Sequence, residues 1–195
     1  MANNKKIGLY FGTFNPIHIG HLIIANHMVN YTDLDEVWFV VSPLNPFKKN
    51  NILLDNHARL ELVYRAIIGY DRLRVSDIEF GLPRPSYTIN TLVYITEKYP
   101  NQDFALIIGG DNLNSFHNWK NHELILQNHE LYVYPRLAST KSSLDNHEKI
   151  NLVGAPIMQI SSSFIRNAIK DQIDVRAMLP ENVWEYIDEM NYYRK

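Results

Sequence analysis

The sequence predicts an α/β fold, a doubly wound and mainly parallel sheet with helices on both faces. Six short β-branched or aromatic runs, at 7–11, 37–41, 73–75, 104–108, 131–134 and 157–160, recur about 25 to 35 residues apart. Between them lie segments whose apolar residues return every three or four positions, at 21–29, 58–68, 89–98 and 123–127. Strand and helix taking turns imply right-handed crossovers and parallel pairing, with ligands beyond the carboxyl ends of the strands. Loops after strands are therefore where chemistry is expected.

The segment 138–148 is polar and Ser/Asn-rich, a surface excursion and not a domain linker, because the chain beyond it is too short to fold alone. Ser161-Ser162-Ser163 precedes an apolar helical pattern as a helix N-cap should. A last helix is expected from Pro180 through Val183, Trp184 and Ile187, its apolar stripe against the core. One domain over residues 1–195, with a short helical part from about 161, suits a chain of 195 residues that is 46% hydrophobic.

Composition excludes several function classes. A net charge of -2 offers no global field for a long polyanion, so extended nucleic-acid binding is disfavoured, while a small phosphorylated ligand needs only local donors. With no cysteine, neither a disulfide framework nor a thiolate metal site exists. Met1 to Lys6 lead straight into a strand-like run, which predicts no signal peptide, and no stretch approaches the roughly 20 apolar residues of a membrane-spanning helix. A cytoplasmic protein without membrane contact is expected, and Asn30-Tyr31-Thr32 is then not a glycosylation site.

The strongest local signal is Gly12-Thr13-Phe14-Asn15-Pro16-Ile17-His18-Ile19-Gly20-His21, directly after the first predicted strand and running into the first helix. Gly12 would let a ligand approach the backbone, Pro16 stiffens the turn, and Gly20 leaves room for a phosphate at the helix N-terminus. His18 and His21 are three apart, so both imidazoles can reach the same phosphate oxygens. A zinc site lacks a third ligand at a typical spacing. Three further segments fall after strands or at helix starts: 84–92, with Ser86, Tyr87 and Thr88; 109–119, with Gly109, Asp111 and Trp119; and 160–166, with Ile160, Ser161, Ser163 and Arg166.

The histidine segment resembles the signature of the nucleotidyltransferase superfamily, shared in part by aminoacyl-tRNA synthetases of the first class. Taken with the other three segments, and with Leu179-Pro180, Val183, Tyr186 and Ile187, the chain resembles bacterial nicotinate-nucleotide adenylyltransferases over nearly its whole length. The resemblance implies a Rossmann-like sheet and transfer of AMP from ATP to nicotinate mononucleotide, giving nicotinate adenine dinucleotide and pyrophosphate in NAD biosynthesis. It also implies Mg2+ carried mainly by the ATP phosphates, without a dedicated protein metal site. Phosphopantetheine adenylyltransferases share the histidines but are usually shorter and lack the Ser-Tyr-Thr and Asp/Trp combination. A synthetase fragment is disfavoured by the absence of a Lys-Met-Ser-Lys-Ser signature and of a basic surface.

Carried over by motif, the resemblance implies that His18, His21, Lys48 and Arg166 act on the phosphates. Gly12, Thr13, Phe14, Gly20, Gly109, Asp111, Ile160, Ser161 and Ser163 would hold ATP. Asn45, Ser86, Tyr87, Thr88 and Trp119 would hold the mononucleotide, Trp119 stacking on the ring and Thr88 with neighbouring amides meeting its carboxylate. Relatives often carry a histidine before the loop lysine; here that residue is Phe47, and Lys49 offers a second cation. Two alternatives stay open on sequence alone, another acceptor such as nicotinamide mononucleotide or phosphopantetheine, and a non-catalytic nucleotide-binding module. Assembly as a homo-oligomer stays open too.

Overall fold

A computed structural model describes residues 4–43, 53–137 and 140–194. Its elements alternate as the sequence predicts. β1 (Lys5–Gly12) leads to α1 (Ile19–Tyr31), β2 (Glu36–Val41), α2 (Asn56–Ala66), β3 (Leu73–Ser76), a 3-10 turn (Ile78–Gly81) and α3 (Thr88–Lys98). Then come β4 (Gln102–Gly109), α4 (Gly110–Asn114), a 3-10 turn (Phe116–Asn118), α5 (His122–Asn128), β5 (Leu131–Tyr134) and β6 (Ile150–Leu152). The chain ends in α6 (Ser162–Lys170), a 3-10 turn (Arg176–Met178) and α7 (Glu181–Glu189).

The strands form one sheet in the order β3-β2-β1-β4-β5-β6, every pair parallel. Tyr10 in β1 lies opposite Phe39 on one side and Ile107 on the other. Because the chain winds outward from β1 through β2 to β3, and then from β4 through β5 to β6, the order reverses between β1 and β4. A crevice opens beyond the carboxyl ends of strands at such a reversal, and here those ends are Gly12 and Gly109.

The period of two along the strands splits the core into two layers. Tyr10, Val37, Phe39, Ile107 and Tyr132 face one side, against apolar residues of α1, α2, α6 and α7. Ile7, Leu9, Val40, Leu106 and Val133 face the other, against α3, α4 and α5. Helices therefore cover both faces, as expected of strands buried on both sides. Among the described residues no helix is long and apolar enough to cross a membrane.

One sequence expectation needs correction. The run 157–160 is not a strand: the sixth strand is Ile150–Leu152, paired with β5, while 157–160 runs irregularly into α6 with Ile157 exposed and Ile160 packed on the core. The sequence pattern also gives no sign of α4, since one helical turn is too short to show a period. The helix starts agree better. Ser161 caps α6, its hydroxyl accepting from the Phe164 amide at 3.2 Å, and Pro180 stands immediately before α7.

Candidate active site

The ten-residue signature leaves β1 at Gly12 and enters α1 at Ile19. A Cβ on Gly12 would sit 2.8 Å from the Phe14 ring, so glycine is required there by the turn itself. Phe14 takes φ 44 and is 2% exposed, packed edge-on to Tyr10, Phe39 and His21. Its side chain thus shapes the turn from beneath, whereas Gly12 and Thr13 line an open cleft beside it. Gly20 faces the His18 ring, where a Cβ would come to 3.1 Å.

His18 is buried at the start of α1 and its ring stacks on His21, centroids 3.7 Å apart. The His18 amide donates to Nδ1 of His21 at 3.2 Å. That bond makes Nδ1 an acceptor, so a neutral His21 carries its proton on Nε2, where it can be donated outward. Burial, with the Arg136 charge adding to it, pushes the His18 imidazole down to about 4. Burial, His18 and Arg136 push His21 well below the usual range. Both rings are therefore neutral donors at pH 7 in the free protein.

The same burial couples stability to pH. The folded chain holds His18 at about 4 against 6.5 for an exposed imidazole, so between these values the unfolded chain binds more protons and stability falls with falling pH. The contribution is complete above pH 6.5 and lost progressively down to about pH 4, amounting to about 3 kcal/mol. Urea unfolding across that window should show a shallower pH slope in His18→Asn, which keeps a competent N-cap residue but no titrating ring. An unchanged slope would remove His18 as its source.

α6 docks against the same turn. Ser162 Oγ donates to the Pro16 carbonyl at 2.8 Å, and Arg166 donates through one terminal nitrogen to the Asn15 carbonyl at 2.7 Å and through the other to Ser163 Oγ at 3.2 Å. Ser161 and Ser163 are exposed at the start of this nine-residue helix. Helix-start amides, hydroxyls, a guanidinium and two imidazoles are thus gathered at one turn, a set of donors suited to phosphate. Asn15 itself is buried, and its Oδ1 accepts from the Leu54 amide at 3.3 Å and from the Tyr193 hydroxyl at 2.8 Å, tying the turn to the end of the chain.

Beside the turn, a cleft of about 680 Å³ opens at the strand reversal. Its strand-end wall includes Tyr10, Gly12, Thr13, Gly109 and Tyr134. Its far wall comes from the α3 and α5 side and includes Glu79, Ser86, Tyr87, Thr88, Trp119 and Lys120. Trp119 is half-buried against Phe116, ring centroids 5.2 Å apart. A Cβ on Gly109 would meet Asp111 Oδ1, the end of an exposed side chain that lies back over the end of β4.

Of the residues the sequence singled out, Gly12, Thr13, Gly109, Ser86, Tyr87, Thr88 and Trp119 share the cleft, while His18, His21, Ser161, Ser163 and Arg166 surround the signature turn. Ile160 packs on the core just before α6, and Asp111 is exposed in the first turn of α4. Asn45, Lys48 and Lys49 lie outside the described residues. Among the described residues no three His, Asp or Glu side chains converge as a metal cage.

Three residues join this neighbourhood that sequence reasoning missed. Arg136, two residues past β5, bears on both imidazoles and lies 3.9 Å from Asp111 Oδ1. Its position in a loop after a strand was the available signal. Glu79 is 3% exposed and accepts from Ser86 Oγ and Thr91 Oγ1, each at 2.7 Å, which fixes the 84–88 loop against α3. Arg59, fully buried, donates to the Thr13 and Ser42 carbonyls at 2.7 and 2.8 Å and joins the ends of β1 and β2.

A parallel sheet with this strand order, a donor-lined turn at its reversal and an adjoining cleft define a nucleotide-binding α/β protein. The chain belongs to the cytidylyltransferase-like family, whose model matches residues 9–168, and within it to the nicotinate-nucleotide adenylyltransferases. A protein of Christiangramia forsetii named a probable nicotinate-nucleotide adenylyltransferase is 60% identical over 98% of this chain and 100% of its own length. A protein of the same name from Bacteroides thetaiotaomicron is 46% identical over 96% of this chain and 93% of its own. Among solved structures, the Plasmodium falciparum nicotinic acid mononucleotide adenylyltransferase complexed with NaAD superposes with a TM-score of 0.81, at 21% identity, over 97% of this chain and 98% of that one. At that identity the likeness speaks for the fold.

Proposed function

We propose that the protein transfers AMP from ATP to nicotinate mononucleotide, producing nicotinate adenine dinucleotide and pyrophosphate. The observation that carries this reading is the junction of two sites: a turn crowded with phosphate donors, and beside it a cleft leading from the strand ends to Trp119. Such a layout suits two nucleotides whose phosphates must meet. The near-full-length identity to proteins named for this reaction supports it.

In the reaction an oxygen of the mononucleotide phosphate attacks the α-phosphorus of ATP in line. The bond from the α-phosphorus to the bridging oxygen breaks, and pyrophosphate leaves with the electron pair. A phosphate monoester has a second pKa near ~6, so the nucleophile is already deprotonated at neutral pH and a general base is unnecessary. What remains is to align two anions and to stabilise charge growing on the transferred group and the leaving group. Nε2–H of His21 and the His18 ring serve the α- and β-phosphates, with Arg166, Ser161 and Ser163 beside them. Magnesium on the ATP phosphates would share the neutralisation of charge, held mainly by phosphates and water. Asp111 and Gly109 hold the adenosine ribose, Trp119 stacks on the pyridine ring, and the Ser86 to Thr88 segment meets its carboxylate. A cytoplasmic location fits a step that consumes ATP.

Pyrophosphate release from MgATP, with nicotinate mononucleotide, nicotinamide mononucleotide and phosphopantetheine compared as acceptors, tests the reading. The expected result is strong turnover with the first and little with the others. Silence with all three, alongside measurable ATP binding, would retain the nucleotide site and reject the acceptor.

A further inference from the structure

Lys120 has no part in the phosphate chemistry, yet it lines the cleft together with Trp119 and the start of α3. Its ammonium sits 4.4 Å from the centroid of the Tyr87 ring, and among the described residues it enters no ion pair. Tyr87 is the residue before the first turn of α3; no side chain caps that helix and no acidic residue stands in its first turn. Thr88, the first residue of α3, lines the same cleft. Positive charge thus comes from two independent sources, a lysine held over an aromatic face and an uncapped helix start of eleven residues.

The opposite sign is also present. Glu79 lines the cleft, and while its Oε1 accepts two hydroxyl bonds, its Oε2 is buried without a hydrogen-bond partner. Left alone, a carboxylate at this wall would favour a neutral or donating ligand group, such as a carboxamide, over an anionic one. Lys120 is a cation on the same wall, next to Trp119.

We propose that the Lys120 side chain is a specificity determinant that makes this cleft select an aromatic acid over the corresponding amide. The inference rests on the proposed function, in which a pyridine mononucleotide occupies the cleft, and adds the group that distinguishes its acid from its amide form. Lys120 adds a charge-assisted contact to the ligand carboxylate on a wall that otherwise carries the Glu79 carboxylate. As a rim charge it loses effect with salt.

The test compares wild-type protein, Lys120→Met and Lys120→Arg with nicotinate mononucleotide and nicotinamide mononucleotide, by kcat/KM in the pyrophosphate assay and by calorimetric binding of each mononucleotide. Methionine keeps a chain to cover Tyr87 and removes only the charge. The ratio of acid to amide is expected to fall about five- to tenfold in Lys120→Met, chiefly through KM of the acid, and to be restored in Lys120→Arg. In wild type the ratio should shrink as salt is raised. An acid-to-amide ratio that is the same in Lys120→Met and wild type, whatever happens to overall activity, overturns the assignment. Failure of the proposed function looks different, since wild-type protein would then neither bind nor turn over either mononucleotide, and both inferences would fall together.

Discussion

Replacing either His18 or His21 by alanine is expected to lower kcat for adenylyl transfer by roughly 10² to 10³, or about 3 to 4 kcal/mol of transition-state stabilisation. The structure gives this expectation particular content. The two rings stack at 3.7 Å and are linked by the bond from the His18 amide to His21 Nδ1, so they form one unit. Groups that act as a unit are not additive. The double variant should therefore lose little more than either single one. Because both imidazoles are held neutral before ATP arrives, their donated bonds strengthen most when charge grows on the phosphoryl oxygens, and kcat should fall more than KM for ATP rises. Steady-state kinetics of the three variants decides the matter. A loss under tenfold in either single variant would remove that histidine from the transition state, and a double loss equal to the product of the two would show that the rings act independently and not as one unit.

How far the sequence reveals such a site depends on the kind of signal each residue leaves. Strands buried on both faces leave continuous apolar runs, so β1, β2, β4 and β5 were legible, as were the helices long enough to show a period. The edge strand β6 has three residues with only Ile150 buried, and such a segment has no pattern to detect, whereas the more apolar 157–160 run satisfied the pattern without pairing. Local motifs placed the histidine turn and the start of α6 correctly because their chemistry is contiguous in sequence. Arg136 and Glu79 were missed because each acts across the fold. Glu79 shows its purpose only when Ser86 and Thr91 are seen to donate to it. Arg59 was hidden by the opposite error. Periodicity assigns a charged residue in an amphipathic helix to the solvent face, and this one is completely buried.

That burial makes Arg59 the position with the largest expected effect on stability. Its guanidinium donates to the carbonyls of Leu54, Thr13, Ser42 and Pro43 and to Asn56 Oδ1, at 2.7 to 3.3 Å, so each of its nitrogens is bonded. These five acceptors include no carboxylate; burial lowers the Arg59 pKa to about 10, still high enough to keep the charge at neutral pH. The cation is stabilised by oriented backbone dipoles, and they in turn are satisfied by it. Arg59→Met would fill similar volume but leave several buried acceptors unsatisfied, and a loss of about 3 to 5 kcal/mol in urea unfolding is expected. Arg59→Lys should recover less than half of this, since three donors on a point charge cannot reproduce the planar fork. The effect should also reach the site. Thr13 lines the cleft, and Ser42 hydrogen-bonds through its amide to Gly12 O at 2.9 Å, so the guanidinium joins two strand ends that already touch. Under conditions where Arg59→Lys remains folded, KM for ATP should therefore rise several-fold while kcat changes less. A loss below about 1 kcal/mol in Arg59→Met would mean that water or a rearranged backbone can replace the guanidinium, and that the junction of β1 and β2 is held by the sheet alone.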